Sequence, residues 1–249
     1  MFTFEERACL RAGLLEYAAK DERITGAAVT GSAADSHEDQ WSDIDLAFGV
    51  SVAANLAAVL SDWTANIYSK HLALHHVDVL FGAWTYRVFL LPNTLQVDLA
   101  FVVETEFRAL APTFRLVFGK ANEPRHPLPT QAGAIIGMAW LYALHARSSI
   151  ARQRLWQAEY MIRGVRDHAL TLACIRYDLP AGHGKGFDLL PSAVTDQFLD
   201  SFVRRLEAEE LSRAFRVVIQ ALVKEIRSAD EELGVRLQEV LAMLTETSS

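Results

Sequence analysis

Three carboxylates and one Gly-Ser pair have the types and spacing that could do chemistry in this chain. Asp43 and Asp45 flank Ile44 in the run Asp43-Ile44-Asp45-Leu46. If that run is extended, side chains two apart leave the same face, so the two carboxylates project together. Side by side they repel, and a divalent cation between them removes the repulsion. Hard oxygen donors of this kind suit Mg²⁺, which keeps several waters and shares a substrate's phosphates. Asp98 lies farther along, where Leu95, Val97, Leu99 and Phe101 alternate with Gln96 and Asp98. That alternation predicts a strand with Asp98 turned away from its apolar neighbours. A third acid from an adjoining strand would complete a site for two metal ions roughly 4 Å apart, as in-line phosphoryl displacement commonly uses. Ahead of the pair, Gly31 would let the backbone approach a triphosphate closely, and Ser32 offers a hydroxyl and an N–H to a phosphate oxygen. An Asp-x-Asp pair or a Gly-Ser turn alone is commonplace; it is their order along the chain that carries the reading.

The elements that must position these residues follow from periodicity. Residues 4–21 predict a helix, with Leu10, Leu14 and Tyr17 on one face. Residues 24–30 predict a strand ending in the Gly31-Ser32 turn, and a polar stretch leads to a second strand at 44–48. Residues 52–71 predict a helix, followed by strands near 76–81, 86–91 and 95–103. Pro92-Asn93-Thr94 supplies a hairpin turn between the last two. From Gly119 the character changes. Residues 120–129, with Pro124, Pro127 and Pro129, predict an exposed connection. Thereafter about five helices are expected, with stripes at Leu211, Phe215, Val218 and Leu222 and at Leu233, Leu237, Val240 and Leu244. The fold class expected is α+β: a mixed sheet with flanking helices over residues 1–125, then an all-α bundle over 126–249 that completes a substrate cleft.

Composition narrows the class of protein. With 51% hydrophobic and 22% charged residues the chain is globular rather than disordered. A net charge of −7 argues against a nucleic-acid backbone as main partner and suits a cationic small substrate. Two cysteines, Cys9 and Cys174, build neither a disulfide framework nor a zinc motif. The first residues lack the basic and apolar regions of a signal peptide, and the apolar run 132–146 is too short to span a bilayer, so a buried helix is expected there. A cytoplasmic protein without membrane contact is expected. His71, His75 and His76 read as strand-edge packing rather than a metal site.

The segment Thr30-Gly31-Ser32 to Asp43-Ile44-Asp45-Leu46, with Val97-Asp98-Leu99 after it, resembles the signature of DNA polymerase β-like nucleotidyltransferases. The resemblance covers the first half of the chain. It implies that Asp43 and Asp45 bind two Mg²⁺ ions. Asp98 would be the third acid, a ligand of the catalytic ion or the base for the acceptor hydroxyl. Gly31 and Ser32 would hold the phosphates of ATP or another nucleoside triphosphate. Glu104 and Glu159 are the alternative bases. In layout the whole chain is similar to the aminoglycoside and lincosamide nucleotidyltransferases, which implies a small hydroxylated acceptor and a possible part in antibiotic resistance. Lys185, in Gly182-His183-Gly184-Lys185-Gly186, resembles the position from which streptomycin-type enzymes send a cation to the phosphates. It also reads as an ordinary exposed loop lysine. On the helix around 155–172, Glu159, Arg163, Arg166 and Asp167 fall on the polar side. Glu159, Arg163 and Arg166 are candidate acceptor or phosphate contacts there, or members of solvated i,i+4 pairs. Two other functions remain open: a regulatory enzyme that adenylylates a partner protein such as a toxin, and a lapsed nucleotide-binding interaction module.

Overall fold

The computed structural model describes residues 1–126 and 131–246. The chain divides into two compact units, Met1–Leu128 and Pro129–Ser249. Pro127 and Pro129 of the expected connection lie outside the described residues.

The first unit opens with α1 (Phe4–Lys20). Thr3 starts it with a capping box: its hydroxyl accepts from the Glu6 N–H and the Glu6 carboxylate accepts from the Thr3 N–H. Then come β1 (Ile24–Thr30), a 3-10 turn over Gly31–Ala33, β2 (Ile44–Val50), α2 (Leu56–His71), β3 (His75–Phe81), β4 (Trp84–Leu90) and β5 (Gln96–Val103). A second 3-10 turn, Glu104–Glu106, precedes β6 (Phe114–Gly119). α2 begins four residues later than the periodicity predicts. Asn55 caps it by accepting from the N–H groups of Ala57 and Ala58, while the N–H of Val52 goes to the Glu104 carboxylate. β6 was not anticipated, because its run Phe114-Arg115-Leu116-Val117-Phe118 does not alternate.

The six strands form one mixed sheet in the order β3-β4-β5-β2-β1-β6. Neighbours are antiparallel except β2 and β5, which run parallel with Asp45 opposite Asp98. Ile44, Leu46, Phe48, Val97, Leu99 and Phe101 turn to one face, where Leu14 of α1 and Val59, Trp63 and Ile67 of α2 bury them. Trp63 is the hub, with Tyr17, Phe48 and Phe101 around its ring. The opposite face carries Asp45, Asp98 and a smaller cluster of Ala28, Ala47, Trp84, Ala100, Val102 and Phe107. Phe107 packs where β1 and β2 lack side chains. A methyl at Gly26 or Gly49, which pair across the strands, would lie within 3 Å of its ring. The N–H groups of Asn122 and Arg125 return to the carbonyls of Phe107 and Ala109, so the start of the connection is tied to this segment.

The second unit comprises α3 (Ala132–Ala151), α4 (Leu155–Arg176), α5 (Ser192–Leu199), α6 (Ala208–Ala229) and α7 (Glu231–Met243). Its core joins Ile136, Ala139, Ala143 and Ala146 of α3 to Ile162, Val165, Ala169 and Leu172 of α4 and to the expected α6 stripe. α3 and α4 approach closely at Gly164, where a Cβ would meet the Tyr142 ring at 2.1 Å. Two expectations need correction. Val240 is exposed and Leu241 is buried instead, and the apolar run of α3 is covered along one side only, leaving Met138, Trp140, Leu141 and Leu144 exposed. Among the described residues no helix is long and apolar enough to cross a membrane.

Because Phe107 is 1% exposed and seats its segment on the sheet, Phe107→Ala should destabilise the first unit by about 3–5 kcal/mol. Urea unfolding followed by tryptophan fluorescence measures this. A loss under about 1 kcal/mol would show that the segment holds without its anchor.

Candidate active site

Asp45 enters the site because β2 and β5 pair in parallel. The Cα atoms of Ile44 and Val97, Asp45 and Asp98, and Leu46 and Leu99 stand opposite one another. Neighbouring strands lie about 4.8 Å apart, so Asp45 and Asp98 are adjacent on the face that α1 and α2 leave uncovered. Asp43, two residues before Asp45, accepts from Gln96 Nε2 at 3.0 Å through Oδ2. Gln96 lies two residues before Asp98 and alternates with it, so it joins the site by the same strand period. Its placement on the polar face was legible, but its role as a partner of Asp43 was not.

The Gly-Ser turn meets these acids directly. Gly31 has φ +62°, and a Cβ there would come within 2.0 Å of Asp45 Oδ2. Only glycine combines that backbone with so close a carboxylate. Arg115 of β6 donates through Nη2 to the Ala33 carbonyl at 3.3 Å, bringing a cation beside the turn that sequence reasoning missed.

The loop between the turn and the Asp pair is held from below. Arg7 of α1 is fully buried and donates through Nη1 to the carbonyls of Asp39 and Ser42 at 2.6 and 2.7 Å. Its Nε lies 3.4 Å from Glu38, which Arg11 also pairs with, and the Phe4 ring covers its guanidinium. Ser42 immediately precedes Asp43, so this buried cation fixes the entry of β2. Trp41, exposed at 69%, stands on the same loop.

Asp98 is the most perturbed acid of the site. Its Oδ1 is buried without a hydrogen-bond partner. Burial first, and the charge of Asp43 second, raise its carboxyl to about 6. Across β4, burial and the charge of Asp98 raise the Tyr86 phenol. Among the described residues, no three of His, Cys, Asp and Glu already form a metal cage. The donors nevertheless fit Mg²⁺. All are hard carboxylate oxygens, one has no partner, and the ion completes its shell with water and phosphate rather than a protein cage.

The remaining candidates belong elsewhere. Glu104 lies past the end of β5, in the 3-10 turn, and its carboxylate accepts from the Val52 N–H at 2.8 Å; period-2 counting fails once the strand stops. In the second unit, Glu159 is half-buried on α4, and Arg163 is exposed and pairs with Asp167 at 3.4 Å. Arg166, expected on the polar side, is instead 7% exposed. It donates to the Ser201 carbonyl at 3.0 Å and lies over the Phe202 ring, so it fastens the segment after α5. Lys185 is exposed after the 3-10 turn Gly182–Gly184. Size does not select the site: a hollow of about 550 Å³ in the second unit, lined by Arg147, Phe215 and Arg216 among others, holds no such carboxylate set.

No family model and no curated protein matches the chain. Among solved structures, it is similar to the crystal structure of an aminoglycoside 6-adenyltransferase from Bacillus subtilis, at 13% identity and a TM-score of 0.44. That likeness covers 99% of this chain and 100% of the other.

The raised Asp98 carboxyl sets a direction for stability. Folding favours its protonated form, so the stabilisation is complete below the unfolded value of about 4 and is lost as pH rises through about 6. In metal-free protein, the loss between pH 4.5 and 7.5 should exceed that of Asp98→Asn by about 2 kcal/mol. Mg²⁺ should raise Tm more at pH 7.5 than at pH 5. Identical pH slopes for parent and Asp98→Asn in calorimetry would place the titration on another group.

Proposed function

We propose that this chain is a Mg²⁺-dependent nucleotidyltransferase that moves a nucleoside monophosphate, AMP from ATP, onto a hydroxyl of a small acceptor and releases pyrophosphate. The observation that carries the reading is the acid set on one sheet face. Asp45 and Asp98 are in register on adjoining parallel strands, Asp43 is two residues upstream, and the Gly31 turn lies against Asp45.

In this reading Asp43, Asp45 and Asp98 would hold Mg²⁺, which when bound would supply positive charge to the triphosphate and the acceptor hydroxyl. Gly31 and Ser32 hold the phosphates, with the glycine backbone leaving room for them. The acceptor oxygen attacks the α-phosphorus as the bond from that phosphorus to the leaving pyrophosphate breaks. Asp98, poised near pH 6 by burial, takes the acceptor's proton or keeps the ion beside it. Gln96 steadies Asp43. Arg7 keeps the loop before Asp43 in place.

Asp43→Ala and Asp45→Ala should each lose transfer by roughly a hundredfold or more, as removal of metal-borne charge stabilisation implies. Circular dichroism should stay unchanged. Asp98→Asn should retain ATP binding in calorimetry and lose transfer. Labelled ATP with a panel of hydroxylated acceptors supplies the assay. Full activity in excess chelator, or from either alanine variant, would overturn the reading.

One observation favours a second reading, a protein acceptor. β3 is an edge strand, and Val77, Val79 and Phe81, which share one face by the strand period, stand exposed along it, an apolar patch of the kind that meets partners. Under this reading Val79→Lys abolishes labelling of protein acceptors and leaves transfer to small ones intact. Unchanged protein labelling would exclude it.

A further inference from the structure

The open face of the sheet does more than carry the acids. One strand period beyond Asp45 and Asp98 stand Ala47 and Ala100, paired with each other in the same β2–β5 register. Two methyl groups side by side leave a shallow floor where larger side chains would fill the space. Trp84 and Tyr86 of β4 form one wall, their ring centroids 6.1 Å apart. The segment between the 3-10 turn Glu104–Glu106 and β6 forms the roof, held down by Phe107 in the Gly26–Gly49 groove. Between floor, wall and roof lies a cavity of about 110 Å³, also lined by Thr30, Leu110 and Phe114.

Its chemistry is specific. The lining is mostly apolar and aromatic, which suits the flat face of a ring. Among the described residues that line it, Arg108 alone is charged, and it is positive. The Arg108 guanidinium is tied to its own segment, donating to the Thr105 carbonyl at 2.7 Å and lying 3.4 Å from the Glu106 carboxylate. With Arg108 so paired, the lining offers an incoming ring no acid to hold a cationic substituent. The position is equally telling. Ala100 is about 6.6 Å along the strand from Asp98, the reach of one hydroxyl-bearing ring, and Tyr86 pairs with Ala100 across β4 and β5. The wall of Trp84 and Tyr86 therefore lies on the Asp98 side of the sheet, whereas the Gly31 turn follows β1.

We propose that this cavity is a ring subsite for the acceptor: it takes a single uncharged six-membered ring, phenolic or sugar, and presents that ring's hydroxyl to Asp98. The proposal rests on the nucleotidyltransferase reading and narrows its substrate class. The net charge of −7, which by itself suits a cationic acceptor, does not describe this pocket.

The test uses the whole 249-residue chain with excess Mg²⁺ and a non-hydrolysable α,β-methylene ATP analogue. Saturation-transfer NMR then measures binding of three ring probes: N-acetyl-tyrosinamide, methyl glucopyranoside and cationic glucosamine. At least one neutral probe should bind, and glucosamine should bind more weakly than that probe. Ala100→Leu fills the floor, and Ala111→Phe plugs the roof from an exposed loop position that leaves the sheet alone. Either variant should weaken the neutral probe at least tenfold while the affinity for the analogue, read by calorimetry, stays within twofold. The subsite is overturned if no neutral probe binds the parent, if glucosamine binds as tightly, or if the folded variants bind the probe like the parent. It is also overturned if the probe and the analogue compete, which would give the cavity to the nucleobase. Failure of the parent to bind the analogue in a Mg²⁺-dependent way would instead defeat the nucleotidyltransferase reading itself.

Discussion

Three like-charged side chains gathered on one sheet face make a demand that the rest of the first unit answers. Asp98 shows the demand most plainly: it is half-buried, its Oδ1 has no partner, and the charge of Asp43 lies nearby. An ionised carboxylate in such a place needs either a proton or a cation, because neither water nor a protein donor reaches that oxygen. Gln96 donates to Asp43, whereas the buried Asp98 Oδ1 has no donor; the Mg²⁺ we propose would supply the charge that this oxygen lacks.

Keeping such a set in place requires rigidity that the acids themselves oppose. The parallel pairing of β2 and β5 provides it at the centre of the sheet, where Ile44, Leu46, Val97 and Leu99 are at most 1% exposed on the helix side. Slipping the register by one residue would move Asp45 into that core and an apolar neighbour out of it, so hydrophobic burial locks the acids to their face. Arg7 does the same for the approach to β2. Buried charge is costly, and its contacts with the Asp39 and Ser42 carbonyls and with Glu38 hold the loop to α1. Loss of this cation would free the chain just before Asp43 while leaving every acid in the sequence.

The same face also shows how small residues become features. Gly26 and Gly49 are the groove for Phe107, and Ala47 and Ala100 are the floor of the cavity beneath the segment that Phe107 anchors. Absent side chains here define both where the roof attaches and how much room it leaves. The second unit uses the device once more at Gly164, where a missing Cβ admits the Tyr142 ring between α3 and α4.

The sequence by itself determined whatever depends on local periodicity and local turn chemistry. It placed α1, β1 and β5 to within a residue or two, and the hairpin at Pro92-Asn93-Thr94 closes as expected, with the Leu91 N–H donating to the Leu95 carbonyl. It put Asp98 and Gln96 on the polar side of their strand, and it found the buried stripe of α6. Only the tertiary structure decided which elements lie beside one another. It chose β2 as the parallel neighbour of β5, added β6 to the far edge and buried Arg7 beneath the loop that leads into β2. It also turned Arg166 inward to Ser201 and sent Glu104 to the Val52 N–H. The physical reason is that a period of 2 or 3.6 tells a side chain which face of its own element it occupies. What covers that face is chosen by burial and hydrogen bonding between residues distant in the chain. Arg7 and Arg166 look like surface charges in sequence and become buried clasps only because carbonyls far along the chain are waiting for them.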